Sequence, residues 1–156
     1  MNRFGPVFFD SYFVVDSDRR IRQHNGVFEQ MLGLRPAQRR SVTGTHCFEL
    51  LQLEICKDRC IAVECLKRNA PVRMEEIHGK TPSGRELVLE LSAIPLRDTS
   101  GNVVGVFVTH RDVTDERRLK TRFKETQAEL DKKIADLEKL VAEKDTELVQ
   151  LRSKPK

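Results

Sequence analysis

Four cysteines fall between positions 47 and 65 of this chain: Cys47, Cys56, Cys60 and Cys65, with His46 beside the first. Thiolates are nucleophiles and soft ligands, so such a set suits zinc, an iron–sulfur cluster or thiol redox chemistry. The gaps of eight, three and four residues fit neither the paired Cys-x-x-Cys of zinc ribbons nor the common ferredoxin runs. A lone cysteine reads as core packing, because free cysteine is among the most buried residue types; four so close together read as a site. On a helix, Cys56 and Cys60 would lie one turn apart on one face, Cys65 at i+5 would need a bend or a helix end, and Cys47 would arrive from the preceding helix.

Little else in the chain offers chemistry. It has no Gly-rich phosphate loop, nucleophile elbow or metal-hydrolase motif, so it reads as a non-enzyme. His24, His46, His78 and His110 stand apart as surface or satisfied core residues, and only His46 is placed to be a spare ligand. No histidine follows His110, so the chain is not itself a histidine kinase. The net charge of +4 is shared along the chain: 12 basic and 10 acidic residues lie from Asp115 onward, leaving 16 and 14 before it. Neither part holds a basic patch with interleaved aromatics, so no nucleic-acid partner is expected. The longest apolar run, Val103 to Val108, is far short of the roughly 20 residues that cross a bilayer, and the N-terminus lacks a secretory pattern. The expectation is a cytoplasmic chain with no membrane partner, whose thiols are kept reduced.

The elements that must position the cysteines follow from composition and period. All eight glycines, five of six prolines and seven of eight phenylalanines precede Asp112, and a charged, glycine-free stretch follows it. The expected domains are therefore 1–114, globular, and 115–156, helical. Val7 to Asp16 and Arg19 to Asn25 read as a hairpin around the turn at Asp16-Ser17-Asp18. Val27 to Leu32 reads as a helical turn ending at Gly33, Pro36 starts another, and His46 to Asn69 has helical spacing throughout. Val72 to His78, Glu86 to Pro95 and Val103 to Thr109 read as strands, with turn chemistry at Thr81-Pro82-Ser83-Gly84 and from Arg97 to Gly101. Together these predict an α+β fold: a five-stranded antiparallel sheet with short helices on one face.

From Asp115 onward a heptad emerges. Phe123, Leu130, Leu137 and Leu151 occupy d, and Ile134, Val141 and Leu148 occupy a, a pattern that favours a parallel two-stranded coiled coil. Lys133 at g then faces Glu138 at e of the partner helix, and Glu147 faces Arg152, while Gln127 at a and Lys144 at d weaken the seam. A homodimer through this coil is expected.

The globular part resembles the PAS sensory domains of bacterial signalling proteins. The resemblance rests on Asp10-Ser-Tyr-Phe-Val-Val-Asp16 with Arg20-Ile21 and Asn25, then Phe28, Met31-Leu32 and Gly33, and Gly84. It continues through Ile94-Pro95-Leu96 with Asp98 and Gly101, then Val104-Gly105 leading to Arg111-Asp112-Val113-Thr114. It covers roughly Phe8 to Arg118, and its closing string is similar to the family element that ends the last strand and starts the signalling helix. The resemblance implies a sensor with Asp112 and Thr114 as signal relay, where either side chain would also cap the helix. It implies a partner protein or a separate output domain. The spacing of Cys47, Cys56 and Cys60 is similar to that of a cysteine-containing subgroup placed before sensor kinases and activator ATPases. For a sensor, an iron–sulfur cluster on the four cysteines is the expected cofactor, because it responds to oxygen and oxidants; zinc, or a metal-free thiol switch or scaffold, is the alternative. Gly44-Thr45-His46-Cys47-Phe48 resembles the flavin-bonding motif of photosensors, but His46 and His110 stand where that family has asparagine and glutamine. Haem would need a histidine that Cys60 to Asn69 does not contain.

Overall fold

The structure, a computed structural model, describes residues 10–152. It divides into two units, the first ending at Asp115 and the second starting at Glu116. In the first, β1 (Ser11–Val15) and β2 (Ile21–His24) are followed by α1 (Gly26–Met31), α2 (Pro36–Arg39), α3 (Cys47–Leu50), β3 (Gln52–Leu53), a 3₁₀ turn (Glu54–Cys56) and α4 (Ile61–Arg68). The long strands β4 (Val72–Lys80), β5 (Glu86–Arg97) and β6 (Val103–Asp112) complete it, and α5 (Thr114–Arg152) begins at its edge. All strand pairs are antiparallel, in the order β2-β1-β6-β5-β4-β3. Of the strand expected from Val7, the part before Asp10 lies outside the described residues.

Period two decides which face of the sheet is buried. Leu87, Leu89, Leu91 and Ala93 on β5, and Val106, Val108 and His110 on β6, all point inward and are buried. Each leucine so placed contributes about 1.5–3 kcal/mol relative to an exposed one. Helices α1 and α4 cover this face with Phe28, Met31, Ile61, Ala62 and Cys65. Asn25 aims α1 into the core: its Oδ1 accepts from the amides of Phe28 (3.0 Å) and Tyr12 (3.2 Å), and its Nδ2 donates to the Asp10 carbonyl (2.9 Å). That side chain is thus both helix cap and tie to β1.

Two expectations are corrected. The sheet has six strands, because the two-residue β3 pairs with Gly79 and Lys80 of β4. The stretch from His46 to Asn69 is not helical throughout. Leu51 takes extended backbone and Cys60 a non-helical one, and the Glu54 carboxylate accepts the His78 amide at 3.1 Å, so the middle of the stretch is stitched to the β4 edge. Helical spacing lost to strand pairing because β4 offers a free edge whose backbone groups need partners.

Gly79 makes that edge accessible. A Cβ there would meet Leu53 Cδ2 at 2.5 Å and the Gln52 carbonyl oxygen at 2.9 Å. We expect Gly79→Ala to push β3 away and cost about 1–3 kcal/mol, the usual range for overpacking. Urea unfolding checks this, and an unchanged midpoint with unchanged slope would refute it.

The second unit is helix α5, described by itself. Phe123, Leu130, Ile134, Leu137, Val141 and Leu148 are all exposed along it. Its own charges pair along the helix, Lys133 with Glu129 at 2.7 Å and Lys144 with Glu147 at 2.8 Å. Among the described residues no helix is long and apolar enough to cross a membrane.

Candidate functional site

Cys47, Cys56 and Cys60 line one small recess between the sheet and the short helices. Each is delivered by a different local device. The segment before α3 lies along β2, with Gly44 N–H donating to the Ile21 carbonyl (2.7 Å), Ile21 N–H to the Thr45 carbonyl (2.9 Å) and Cys47 N–H to the Arg19 carbonyl (3.1 Å). Gly44 makes the approach at φ +90°, a conformation costly for any residue with a Cβ. Cys56 closes the 3₁₀ turn, its thiol directed at the Leu51 carbonyl 3.8 Å away. Cys60 is the residue from which α4 starts.

The rest of the lining is apolar: Leu51, Ile55, Ile61 and Ala62 from the cover, Phe13, Leu53 and Val108 from the sheet. The cavity volume is about 20 Å³, room for about one water. Cys65 is fully buried on α4 but does not face this space, and burial pushes its thiol pKa up. His46 is engaged elsewhere, with Nδ1 3.1 Å from Glu49 Oε1 and its ring stacked on Phe48 at 5.0 Å. The structure therefore brings three of the four cysteines together and leaves Cys65 and His46 outside. Among the described residues no group of three or more His, Cys, Asp or Glu side chains stands ready to hold a metal ion. The donor chemistry suits a soft metal, but a four-cysteine cluster does not fit this arrangement, with Cys65 outside the recess and only water-sized space there for the other three.

The three sulfurs differ in protonation. Cys60 is drawn down to about 5, first by a hydrogen bond from the Cys47 thiol, against the opposing effect of burial, and further by the amides of Val63 and Ala62 and the Arg19 side chain. Neither amide closes a regular cap hydrogen bond, but both face the sulfur at the positive end of α4. Cys47 is pushed far up by the bond it donates to Cys60 and by burial. Cys56 is raised by burial. The net direction is thus down for Cys60 and up for Cys47 and Cys56.

Arg19 is the member that sequence patterns did not show. It sits in the left-handed region (φ 63°) at the tip of the β1–β2 turn, with its guanidinium 4.6 Å from the Phe48 ring centroid. Asp16 builds that turn: its Oδ1 accepts the amides of Asp18 (3.0 Å) and Arg20 (2.9 Å), and its Oδ2 pairs with Arg22 at 2.6 Å. Only the fold brings position 19 to position 60, so no local signal could have found it.

At the far end of β6, Asp112 and Thr114 form one network with β5. Thr114 Oγ1 accepts the Val88 amide (2.9 Å) and donates to Asp112 Oδ1, which also accepts the Thr114 amide (3.0 Å). Arg85 pairs with Asp112 Oδ2 at 2.6 Å, and the Val113 amide donates to the Val88 carbonyl at 2.9 Å. The start of α5 is thus fastened to β5 as well as to β6.

A six-stranded antiparallel sheet covered on one face by short helices, with a recess between the layers, is matched over residues 9–118 by the family model described as PAS fold. The chain belongs to the PAS family. Solved structures similar to this PAS domain share its fold. One is a PAS domain from Colwellia psychrerythraea, 19% identical, TM-score 0.59, covering 72% of this chain and 93% of that one. Another is the PAS domain of nitrogen regulation protein NR(II) from Vibrio parahaemolyticus, 15% identical, TM-score 0.56, covering 70% and 94%. An RNA-binding light-oxygen-voltage receptor is 20% identical with TM-score 0.63, covering 81% of this chain and 36% of that one. No curated protein sequence matches the chain.

Proposed function

We propose that this PAS domain is a redox-responsive sensory module whose input centre is the recess of Cys47, Cys56 and Cys60. The supporting observation is the pair Cys47 and Cys60 lining, together with Cys56, one apolar recess beside the sheet, with the Cys60 thiol drawn down and the Cys47 thiol pushed up. Such a pair changes state with oxidant or soft metal and moves α3 and α4 against β1 and β6. The role is sensory rather than catalytic, and the setting is the reducing cytoplasm, where a thiolate persists until an oxidant arrives. The network of Asp112 and Thr114 is the relay, because it ties β5 at Val88 to the first residue of α5. The output is a parallel homodimer through α5, whose apolar a and d side chains have no cover from their own helix and whose g and e charges, Lys133 with Glu138 and Glu147 with Arg152, are complementary between two copies. A signalling partner or an output domain would read the change at the coil.

A second reading is an iron–sulfur centre, whose soft-donor chemistry these sulfurs suit although their present arrangement does not fit a four-cysteine cluster. When bound, such a centre would supply redox chemistry on Cys47, Cys56 and Cys60; Cys65 would complete the set only if α4 turned. Anaerobic purification followed by iron, sulfide and zinc analysis, beside a Cys56→Ser variant, separates the readings. Metal-free protein with four titratable thiols supports the thiol centre. Stoichiometric iron and sulfide, lost in the variant, establishes the cluster, and stoichiometric zinc makes the site structural, since zinc is redox-silent.

A further inference from the structure

We propose that the recess between the sheet and the short helices is a docking site for molecular oxygen, taken up as a neutral diatomic guest with no bond made or broken. The inference goes beyond the redox reading and does not depend on it, since it uses the size and lining of the space and not the state of any thiol.

Three observations carry it. The first is size. A volume of about 20 Å³ exceeds the roughly 10–15 Å³ that one water needs and is far below the roughly 300 Å³ at which pockets for organic ligands begin. A molecule of two bonded heavy atoms fits; a larger one does not.

The second is the lining, which presents carbon and sulfur to the space and no nitrogen or oxygen atom. A buried water needs about two to four polar partners, so water loses hydrogen bonds by entering here, whereas an apolar diatomic has none to lose. Sulfur is a weak hydrogen-bonding partner, and the Cys56 thiol is already directed at the Leu51 carbonyl 3.8 Å away.

The third is the frame. Phe13 and Val108 on the sheet and Ile61 and Ala62 on α4 are all buried by more than nine-tenths. Close-packed side chains of this kind relax only partly into a void, so the space persists, and a guest restores the dispersion contacts that its walls lack.

The test uses the full chain as purified, with isotope-labelled methyl groups, and compares methyl relaxation under oxygen and under nitrogen at equal pressure. Oxygen is paramagnetic, so a guest in the recess speeds relaxation of the methyls around it. The expected result is an enhancement centred on Ile61, Ala62 and Val108, larger than at Val42, Leu87 and Leu89, which are as deeply buried but lie outside the recess. Val108→Ile fills the space and should abolish the excess, while Ile61→Val enlarges it and should increase the excess at Ala62 and Val108.

An enhancement no larger in the recess than at the comparison methyls overturns the site, as does one that survives Val108→Ile in a folded variant. A nuclear Overhauser effect from a bound water to the Ile61 methyls overturns it too, and so does iron or zinc found on the recess sulfurs, which would fill the space. Counting thiols after peroxide treatment separates the two readings. Inert thiols with the oxygen effect intact remove the redox reading and support the gas site; reactive thiols with no local oxygen effect remove the gas site alone.

Discussion

For the coiled-coil dimer proposed above, Ile134→Lys combined with Val141→Lys should leave a monomer, with α5 still helical. Both side chains are more than half exposed in the single chain, at 53% and 59%, and both occupy a positions of the heptad. Across two copies, four β-branched side chains leave the seam, each worth about 1.5–3 kcal/mol when buried. Even heavily discounted for partial burial, that is about 4 kcal/mol, or roughly a thousandfold weaker association. Lysine is a good helix former, so the helix itself should survive. Light scattering coupled to size exclusion reads the mass, and circular dichroism reads the helix. A variant that remains a dimer would show that the coil is not the interface.

The second large effect is acid instability through His110. This side chain is 2% exposed, packed 4.6 Å from the Phe13 ring and 5.6 Å from the Phe28 ring, with Nδ1 unpartnered. Burial lowers its pKa from 6.5 to about 3, opposed by a hydrogen bond to the Ser11 backbone. The folded state therefore favours the neutral ring, while the unfolded chain accepts a proton near pH 6.5. The stabilising contribution is complete above that pH and is lost as pH falls toward 3. Between pH 7 and pH 4 the loss from this one group is about 3 kcal/mol, at 1.36 kcal/mol per pH unit. Urea unfolding of wild type and His110→Phe at both pH values should show a steeper acid loss in the wild type by that order. Parallel losses in the two proteins would show that the buried ring does not govern acid stability.

Much of the architecture was legible because it is written in local chemistry. The turn at Asp16-Ser17-Asp18 is drawn tight by the carboxylate of Asp16 itself, and alternation on β5 and β6 follows from the two-residue period of a strand with one buried face. The heptad of α5 is equally local, since an exposed glycine-free helix has nothing but its own period to describe. The errors came where one segment had two compatible partners. The spacing from His46 to Asn69 suits a helix, and only the edge of β4, with Gly79 open to Leu53, draws its middle into a strand and a 3₁₀ turn. Splitting that helix changed the site, because Cys56 and Cys60 no longer share a helical face and Cys65 alone lies within α4.

By itself, then, the sequence determined the α+β class, the antiparallel sheet and the concentration of thiols in the middle of the chain. Tertiary structure decided which thiols meet. It turned Cys65 into the core between α4 and the sheet, brought Cys47 against Cys60, and delivered Arg19 from a turn forty-one residues earlier. The physical reason is range: turns, strands and heptads are specified within a few residues, whereas protonation and sulfur geometry depend on burial and charge that exist only once distant segments pack.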